Sequence, residues 1–593
     1  MGDYIERLKK IRRRIEENDP KLVKLAIYIG ESYTECDMYR PHDGDWERDG
    51  KSVGRSIHIK ELVLGDHDSV SRHEYEVFCE GMAANKSIER LKIWNDVLSG
   101  GEIYSMMCPF FEQNSNLRCL RVGFHTLAGR FCDASVRLLS ESLTRFNTLR
   151  EFECQYCQLG DDYVATLVGA LTVHSGITKL DLSGNKVGRV IGGVGGMGSA
   201  ALAALLTSPK SSLKELELMS CSFNDEGAAI LAAALTGNRT LTQLNLGRNP
   251  SITVTGWRAI FARVKSPQSS LEELRLFRNS INNATANLLA NALTTSTSLK
   301  VLDLSEIDCI YGDCIIPEVW RPLFDALQNP SCALQDLDLH NNDFDDDDVT
   351  YLSNALALNC TLKWLDFRGC NNRGVTVSGW RAFSAVFRNP NSALETVNLR
   401  SNSINDDALV SFADGLRGNS KLENFFLNGD PDDYDDEYSE DTTLTRWDAF
   451  SHALCDKSSV NATFSSNHTL QRLVEPDKRH LSSSRSSLWP WDLADEPDLP
   501  PDLQNLLRLN RENTKIEASR RKILNVHFSG DFNMQPFISM DLKALPHAVA
   551  WMAKDEYGSS LLYQFVRYTT FFVGVGPAGR LSDNEPVSKR QKV

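Results

Sequence analysis

Between Leu213 and Leu218 the chain reads LKELEL, and the same apolar-x-x-apolar-x-apolar pattern returns as LTQLNL from Leu241, LEELRL from Leu271 and LKVLDL from Leu299. Working outward, it recurs upstream as IKELVL from Ile59, IERLKI from Ile88, LRCLRV from Leu117, LREFEC from Leu149 and ITKLDL from Ile177. Downstream it continues as LQDLDL from Leu334, LKWLDF from Leu362, LETVNL from Leu394 and LENFFL from Leu422, with weaker copies at Leu22 and Leu470. Each copy is long enough for one short strand, and helix-forming runs such as AAILAAALTG from Ala228 fill the intervals. Self-similarity at a near-constant period predicts a solenoid, in which each unit buries its apolar face against the next.

Three residues after the last apolar position stands Asn or Cys: Cys157, Asn185, Cys221, Asn249, Asn279, Asn342, Cys370 and Asn402. A buried side chain there has to satisfy backbone groups where the chain leaves the strand. On these residues the chain resembles the leucine-rich repeat, in particular its long, ribonuclease-inhibitor-like class. The resemblance implies an α/β horseshoe with a parallel sheet on the concave face and helices on the convex face. It covers residues 22 to 475, preceded by a basic helix or cap over 1–21. A linker over 476–501, a helical cap over 502–575 and a basic, disordered tail over 576–593 are expected to follow.

The repeats come in pairs. The starts at 149, 213, 271, 334 and 394 are each followed by the next start 28 residues on, whereas the alternate steps are longer and uneven. Trp257, Trp320 and Trp380, each followed by Arg, all precede the next strand's first leucine by 14 residues, so the extra residues belong between strand and helix. Trp447, 23 before Leu470, breaks the rule. Insertions on alternate repeats would emerge from one rim, where repeat proteins often bind.

Several motifs read as ordinary repeat structure. Gly193-x-Gly195-x-x-Gly198 spells a dinucleotide loop, but its strand ends some ten residues too early. Cys154-x-x-Cys157 occupies core positions, and Cys309 and Cys314 share a loop without further metal ligands. Asp66, His67, Asp68 and His73 read as surface residues, and the sequons at Asn238, Asn283, Asn359, Asn461 and Asn467 as turns. With no nucleophile, phosphate-loop or zinc-protease motif, no catalytic residue, cofactor or metal is expected.

The formal net charge is −15. That balance disfavours direct nucleic-acid binding and favours a basic protein partner. Strand residues alternate faces, which predicts an outward acidic column including Asp181, Glu217, Asp303, Asp338 and Asp366, broken by Arg275. Beside it Phe277, His340, Trp364, Arg368 and Arg400 are candidate partner-binding anchors. An acidic loop carrying Asp432, Asp433, Asp435, Asp436 and Glu437 could dock a Lys/Arg-rich segment.

Lys589, Arg590 and Lys592 near the end resemble a nuclear import signal, read by an import receptor. The N-terminus has no signal-peptide core and no apolar run spans a membrane, so the expectation is a nuclear or cytoplasmic, non-enzymatic scaffold. The alternative is a GTPase-activating protein similar to the Ran-directed family, which shares the long repeat type; the basic tail and internal acidic run depart from that family's pattern.

Overall fold

The computed structural model describes residues 2–27, 37–39, 45–65, 71–94, 100–123, 131–188, 190–191, 194–307, 319–370, 374–402, 404–427, 444–473 and 499–527. Two compact units are distinguished: Met1–Ser403 with Phe426–Asp436 and Glu475–Trp491, and Ile404–Phe425 with Glu437–Val474 and Asp492–Val593.

In the first unit, strands from Lys24–Ile27 to Thr396–Asn398 pair in parallel and in chain order, and Asp37–Tyr39 adds an edge strand on the far side of Lys24–Ile27. The register aligns Leu216, Leu244, Leu274, Leu302, Leu337, Leu365 and Val397 across seven consecutive strands. All of these side chains are buried. Each contributes about 1.5–3 kcal/mol of burial. From Glu61–Leu64 to Trp364–Asp366 each strand of the sheet is followed by a helix that packs against the helices of the neighbouring repeats. This is the repeat solenoid expected from the hexapeptide spacing.

Two ladders of asparagine hold successive repeats together. At the strand exit, Asn185, Asn249, Asn279, Asn342 and Asn402 donate from Nδ2 to carbonyls of their own and the preceding repeat. Their Oδ1 atoms accept amides of the preceding repeat, as from Leu159, Cys221, Asn249, Ile307 and Cys370. Cysteine at the same position has one S–H to offer: Cys370 Sγ lies 3.1 Å from Leu339 O and 3.4 Å from Arg368 O. Burial pushes the Cys157, Cys221 and Cys370 thiols well up, and these side chains are core groups.

The second ladder stands where helix returns to strand, at Asn85, Asn114, Asn238 and Asn359 in this unit. Asn238 donates to Leu206 O at 2.9 Å and accepts from Thr240 N and Leu241 N at 3.0 and 2.8 Å. Asn359 repeats that arrangement with Leu327, Thr361 and Leu362. Asn238 and Asn359 are thus buried turn residues.

The pairing of repeats also has a physical cause. Asp225, first residue of the helix Asp225–Leu235, accepts from Thr253 N (2.7 Å), Thr253 Oγ1 (2.6 Å) and Gly256 N (3.0 Å), the first turn of the next helix, Val254–Val264. Asp346 does the same for Thr376 and Gly379, and Asp161 for Met197 and Gly198. The regular repeat therefore caps the helix of the repeat that carries the insertion.

Glycine is required at 256 because a Cβ would lie 2.7 Å from Asp225 Oδ1. Replacing Asp225 by Ala removes a helix cap and charge-assisted bonds, at an expected cost of about 2 kcal/mol. A correspondingly lower urea midpoint checks this, and Asp225→Asn should recover part of the loss.

The insertions fall where the tryptophan spacing places them. Residues 308–318 lie between the strand Val301–Asp303 and the helix Trp320–Leu327. In the Gly-rich insertion a two-stranded antiparallel hairpin, Val190–Ile191 with Val194–Gly195, precedes the helix Met197–Thr207. Gly198 sits inside that helix and donates its amide to Asp161, which accounts for this glycine; Gly193 lies outside the described residues.

The second unit contains the helices Asp406–Leu416, Leu444–Leu454, Val460–Phe464, Pro501–Glu512 and Lys515–His527. The short helix Val460–Phe464, inserted after the repeat helix, explains why Trp447 lies too far from Leu470. The terminal helices close onto the last repeat: Asn510 donates to Leu470 O at 2.7 Å. Buried Lys522 donates to Leu454 O and Asn467 O at 2.8 and 2.9 Å. Burial lowers its pKa to about 7, and a neutral amine retains both donors. The helices expected beyond residue 527 lie outside the described residues.

Candidate functional site

The sheet face away from the helices is built from the strand positions on either side of the buried middle residue. Register places Glu153, Asp181, Glu217, Asn245, Arg275, Asp303, Asp338, Asp366 and Asn398 in one line across nine consecutive strands. The column read from the sequence therefore exists. Its exposure differs from expectation: Asp181, Asp338 and Asp366 are only 6, 1 and 2% exposed.

The reason is local. Asp181 Oδ1 accepts from Ser183 N, Asp303 from Ser305 N, Asp338 from His340 N and Asp366 from Arg368 N. Asn245 and Asn398 make the same bond to Gly247 N and Arg400 N. A short Asx side chain at this position turns the chain out of the strand. One oxygen of each aspartate is thus committed to the fold, and burial with local bonding sets the side chain into the face.

Arg400, read as an outward anchor, is also buried, whereas Glu217, Arg275, Phe277, Asp303, His340, Trp364 and Arg368 are partly exposed. The Phe277 ring lies close against Gly247, a position where a Cβ would collide with it. Trp364 stands in register with Asp336 on the neighbouring strand.

Charge is distributed unevenly along this face. On the N-terminal strands acids and bases interleave: Lys92 meets Glu61 at 2.7 Å, Arg90 meets Glu151 at 2.9 Å, and Glu153 lies 3.1 Å from Arg121 and 3.4 Å from Lys179. Arg275 joins Glu273 and Glu217. Burial raises the Asp181 and Glu217 pKa values.

From strand Val301–Asp303 onward, Asp303, Asp338 and Asp366 occupy three successive register positions, flanked by Asp336 and Glu306. Among them, His340 Nδ1 lies 2.7 Å from Asp338 Oδ1 and its Nε2 lies 3.9 Å from Glu306 Oε1. Burial opposes the charged imidazole, but the Asp338 hydrogen bond and the Asp338 and Asp366 charges outweigh it and raise the His340 pKa. Arg368 Nε is 3.8 Å from Asp366, and Arg278 pairs with Glu306.

Sequence reading missed Glu306 and Asp336. Glu306 lies three residues beyond its column position, at positive φ, so strand alternation does not place it. The expected acidic loop (Asp432, Asp433, Asp435, Asp436, Glu437), the import signal (Lys589, Arg590, Lys592), the Cys309/Cys314 loop and Asp66, His67 and Asp68 lie outside the described residues. His73 is exposed. Among the described residues no helix is long and apolar enough to cross a membrane.

The family profile described as "Leucine Rich repeat" matches residues 210–232, 237–261 and 391–413. The ribonuclease inhibitor of Mus musculus is 26% identical over 48% of this chain and 58% of its own length, and that of Sus scrofa 27% identical over the same shares. NACHT, LRR and PYD domains-containing protein 14 of Mus musculus is 30% identical over 39% of this chain and 22% of its own.

The chain thus spans a little over half of the inhibitors and under a quarter of the third relative. Among solved structures, the yeast Rad7 and Elc1 complex includes a chain aligned with TM-score 0.40 and 18% identity, covering 62% of this chain and 86% of that one. The hexapeptides, the asparagine ladder and the inhibitor relatives together identify this chain as a leucine-rich repeat protein of the ribonuclease-inhibitor-like class.

Proposed function

We propose that this protein is a non-catalytic interaction scaffold that holds a basic segment of a protein partner against the C-terminal half of the sheet face. The observation that carries this reading is the uneven charge. Five carboxylates, Asp303, Glu306, Asp336, Asp338 and Asp366, gather with two guanidiniums, Arg278 on Glu306 and Arg368 near Asp366, whereas Glu61, Glu151 and Glu153 on the N-terminal strands each meet a basic partner. Carboxylates set in a low-dielectric wall focus a negative potential outward. Partly exposed Trp364, His340 and Arg368 supply the flat and hydrogen-bonding surfaces that anchor interfaces. The relatives named ribonuclease inhibitor, whose very name describes action on another protein, support the same class of function.

The fold supplies a clean test. Asparagine already serves the turn at 245 and 398, so Asp303→Asn, Asp338→Asn and Asp366→Asn together remove three charges and leave that bond in place. In fluorescence anisotropy with an arginine-rich peptide, the triple variant should bind at least tenfold more weakly. The gap should narrow as salt rises. Glu61→Gln with Glu153→Gln, on the balanced half, should bind like the parent. Equal affinity of parent and triple variant would sink the proposal.

A further inference from the structure

The repeat's Asx turn accounts for Asp338 and Asp366 singly, but not for the histidine that stands between them. Asp338 and Asp366 are register partners on adjacent strands, almost completely buried, so two carboxylates face one another across the strand spacing. His340, two residues beyond Asp338 and on the same side, brings its imidazole to them. One ligand atom from each of the three lies within 4.8 Å of the others.

We propose that Asp338, His340 and Asp366 bind a divalent first-row transition metal ion, zinc being the probe of choice. Two carboxylate oxygens and one imidazole nitrogen form an O,O,N set that suits zinc, manganese or ferrous iron better than calcium or magnesium. An ion at about 2.0–2.2 Å from each would draw the donors to about 3–3.5 Å of one another. The 2.7 Å contact between His340 Nδ1 and Asp338 Oδ1 is a hydrogen bond, so an ion would replace its proton and spread this pair to that spacing.

The surroundings fit a metal site. Glu306 Oε1 stands 3.9 Å from Nε2, beyond hydrogen-bond reach, and a side-chain shift of about 1 Å would let it take that N–H and orient the ring when Nδ1 binds the ion. Arg278 holds Glu306 in turn. Asp338 Oδ1 also accepts from His340 N at 3.1 Å, and Asp366 Oδ1 from Arg368 N at 3.3 Å with Arg368 Nε at 3.8 Å. These contacts fix both carboxylates before any ion arrives. His340 is partly exposed, which leaves a path from solvent, while its two partners are buried. The zinc readout needs no partner, but because a bound dication would cancel the charge of Asp338 and Asp366, zinc should weaken binding of the arginine-rich peptide.

The test is equilibrium dialysis of the full chain against micromolar Zn2+ with elemental analysis, run in parallel on Asp366→Asn, His340→Gln and the exposed control His73→Gln. The expected result is about one fewer zinc per chain in each of the first two variants and no change in the control. Because the chain carries fourteen cysteines, Co2+ substitution gives a second readout. The site's spectrum should show d–d bands without thiolate charge transfer, and those bands should vanish in Asp366→Asn.

Far-ultraviolet circular dichroism should be unchanged by Asp366→Asn, since Asn398 makes the same turn one strand on. If Asp366→Asn and His340→Gln hold as much zinc as the parent, or the parent holds none, the site does not exist.

Discussion

Replacing Asn249 by Ala should destabilise the solenoid by about 4 kcal/mol, because one change removes the partners of several buried backbone groups, each costing about 1–3 kcal/mol when unsatisfied. Asn249 Nδ2 donates to Leu218 O, Leu246 O and Gly247 O, each at 3.0 Å. Its Oδ1 accepts from Cys221 N and Phe223 N, each at 3.1 Å. The residue is completely buried, so water cannot replace it without opening the stack. In a repeat array the loss should appear first locally, as faster amide exchange at Cys221 and Phe223, and then in the global urea midpoint.

Asn249→Cys is the informative companion, since the fold accepts Cys at this position in other repeats. Its sulfur can serve one carbonyl, as Cys221 serves Leu182 O at 3.2 Å, but it replaces neither amide acceptor well. An intermediate loss, near half that of Ala, is therefore expected. If Ala and Cys were equally mild, the ladder would be a consequence of packing rather than a cause of stability.

This ladder was legible in the sequence because one side chain at a fixed offset serves two repeats. The helix-return ladder was only half legible: Asn238 and Asn359 read as turn residues, but their reach to Leu206 O and Leu327 O depends on which helix end lies beneath them. That is a tertiary relation with no local spacing to betray it. The Asp225 and Asp346 caps escaped for the same reason, since an acid at the start of a helix looks like a cap for its own helix.

The sheet face shows where pattern reading stops. Alternation put Asp338 and Asp366 on the correct side, and pairing confirms their alignment. Yet pointing away from the helices is not the same as being exposed. Asp338 and Asp366, each bonded to the amide two residues on, are buried, whereas Asp303 with the same bond stays partly exposed. Trp364, His340 and Arg368 remain partly accessible, but Arg400 in the same outward column is buried, so side-chain length alone does not decide exposure. The same Asx position thus carries both a structural role and the charge that shapes the face, and only Asp-to-Asn exchange separates the two.

Trp320→Ala should cost about 4 kcal/mol through the cavity left by a fully buried indole. Its ring stacks on Phe324 at 6.1 Å and meets Phe344 at 4.9 Å, so the loss is transmitted to the neighbouring repeat through Phe344 and its contact with Phe367 at 4.7 Å. Thermal unfolding followed by calorimetry checks the magnitude, and Trp320→Phe should restore more than half of it.

The position of this tryptophan makes the prediction bear on function as well as stability. Trp320 opens the helix that receives the chain after residues 308–318, and the 14-residue interval to Leu334 is the same as that from Trp257 to Leu271 and from Trp380 to Leu394. An insertion can vary in length without disturbing the stack only if its return point is anchored firmly. Large, fully buried indoles at 257, 320 and 380 provide that anchor on alternate repeats. Limited proteolysis of Trp320→Ala should therefore cut within 308–318 at a higher rate than in the parent, while cleavage at the Gly-rich insertion, anchored by Asp161 instead, stays the same.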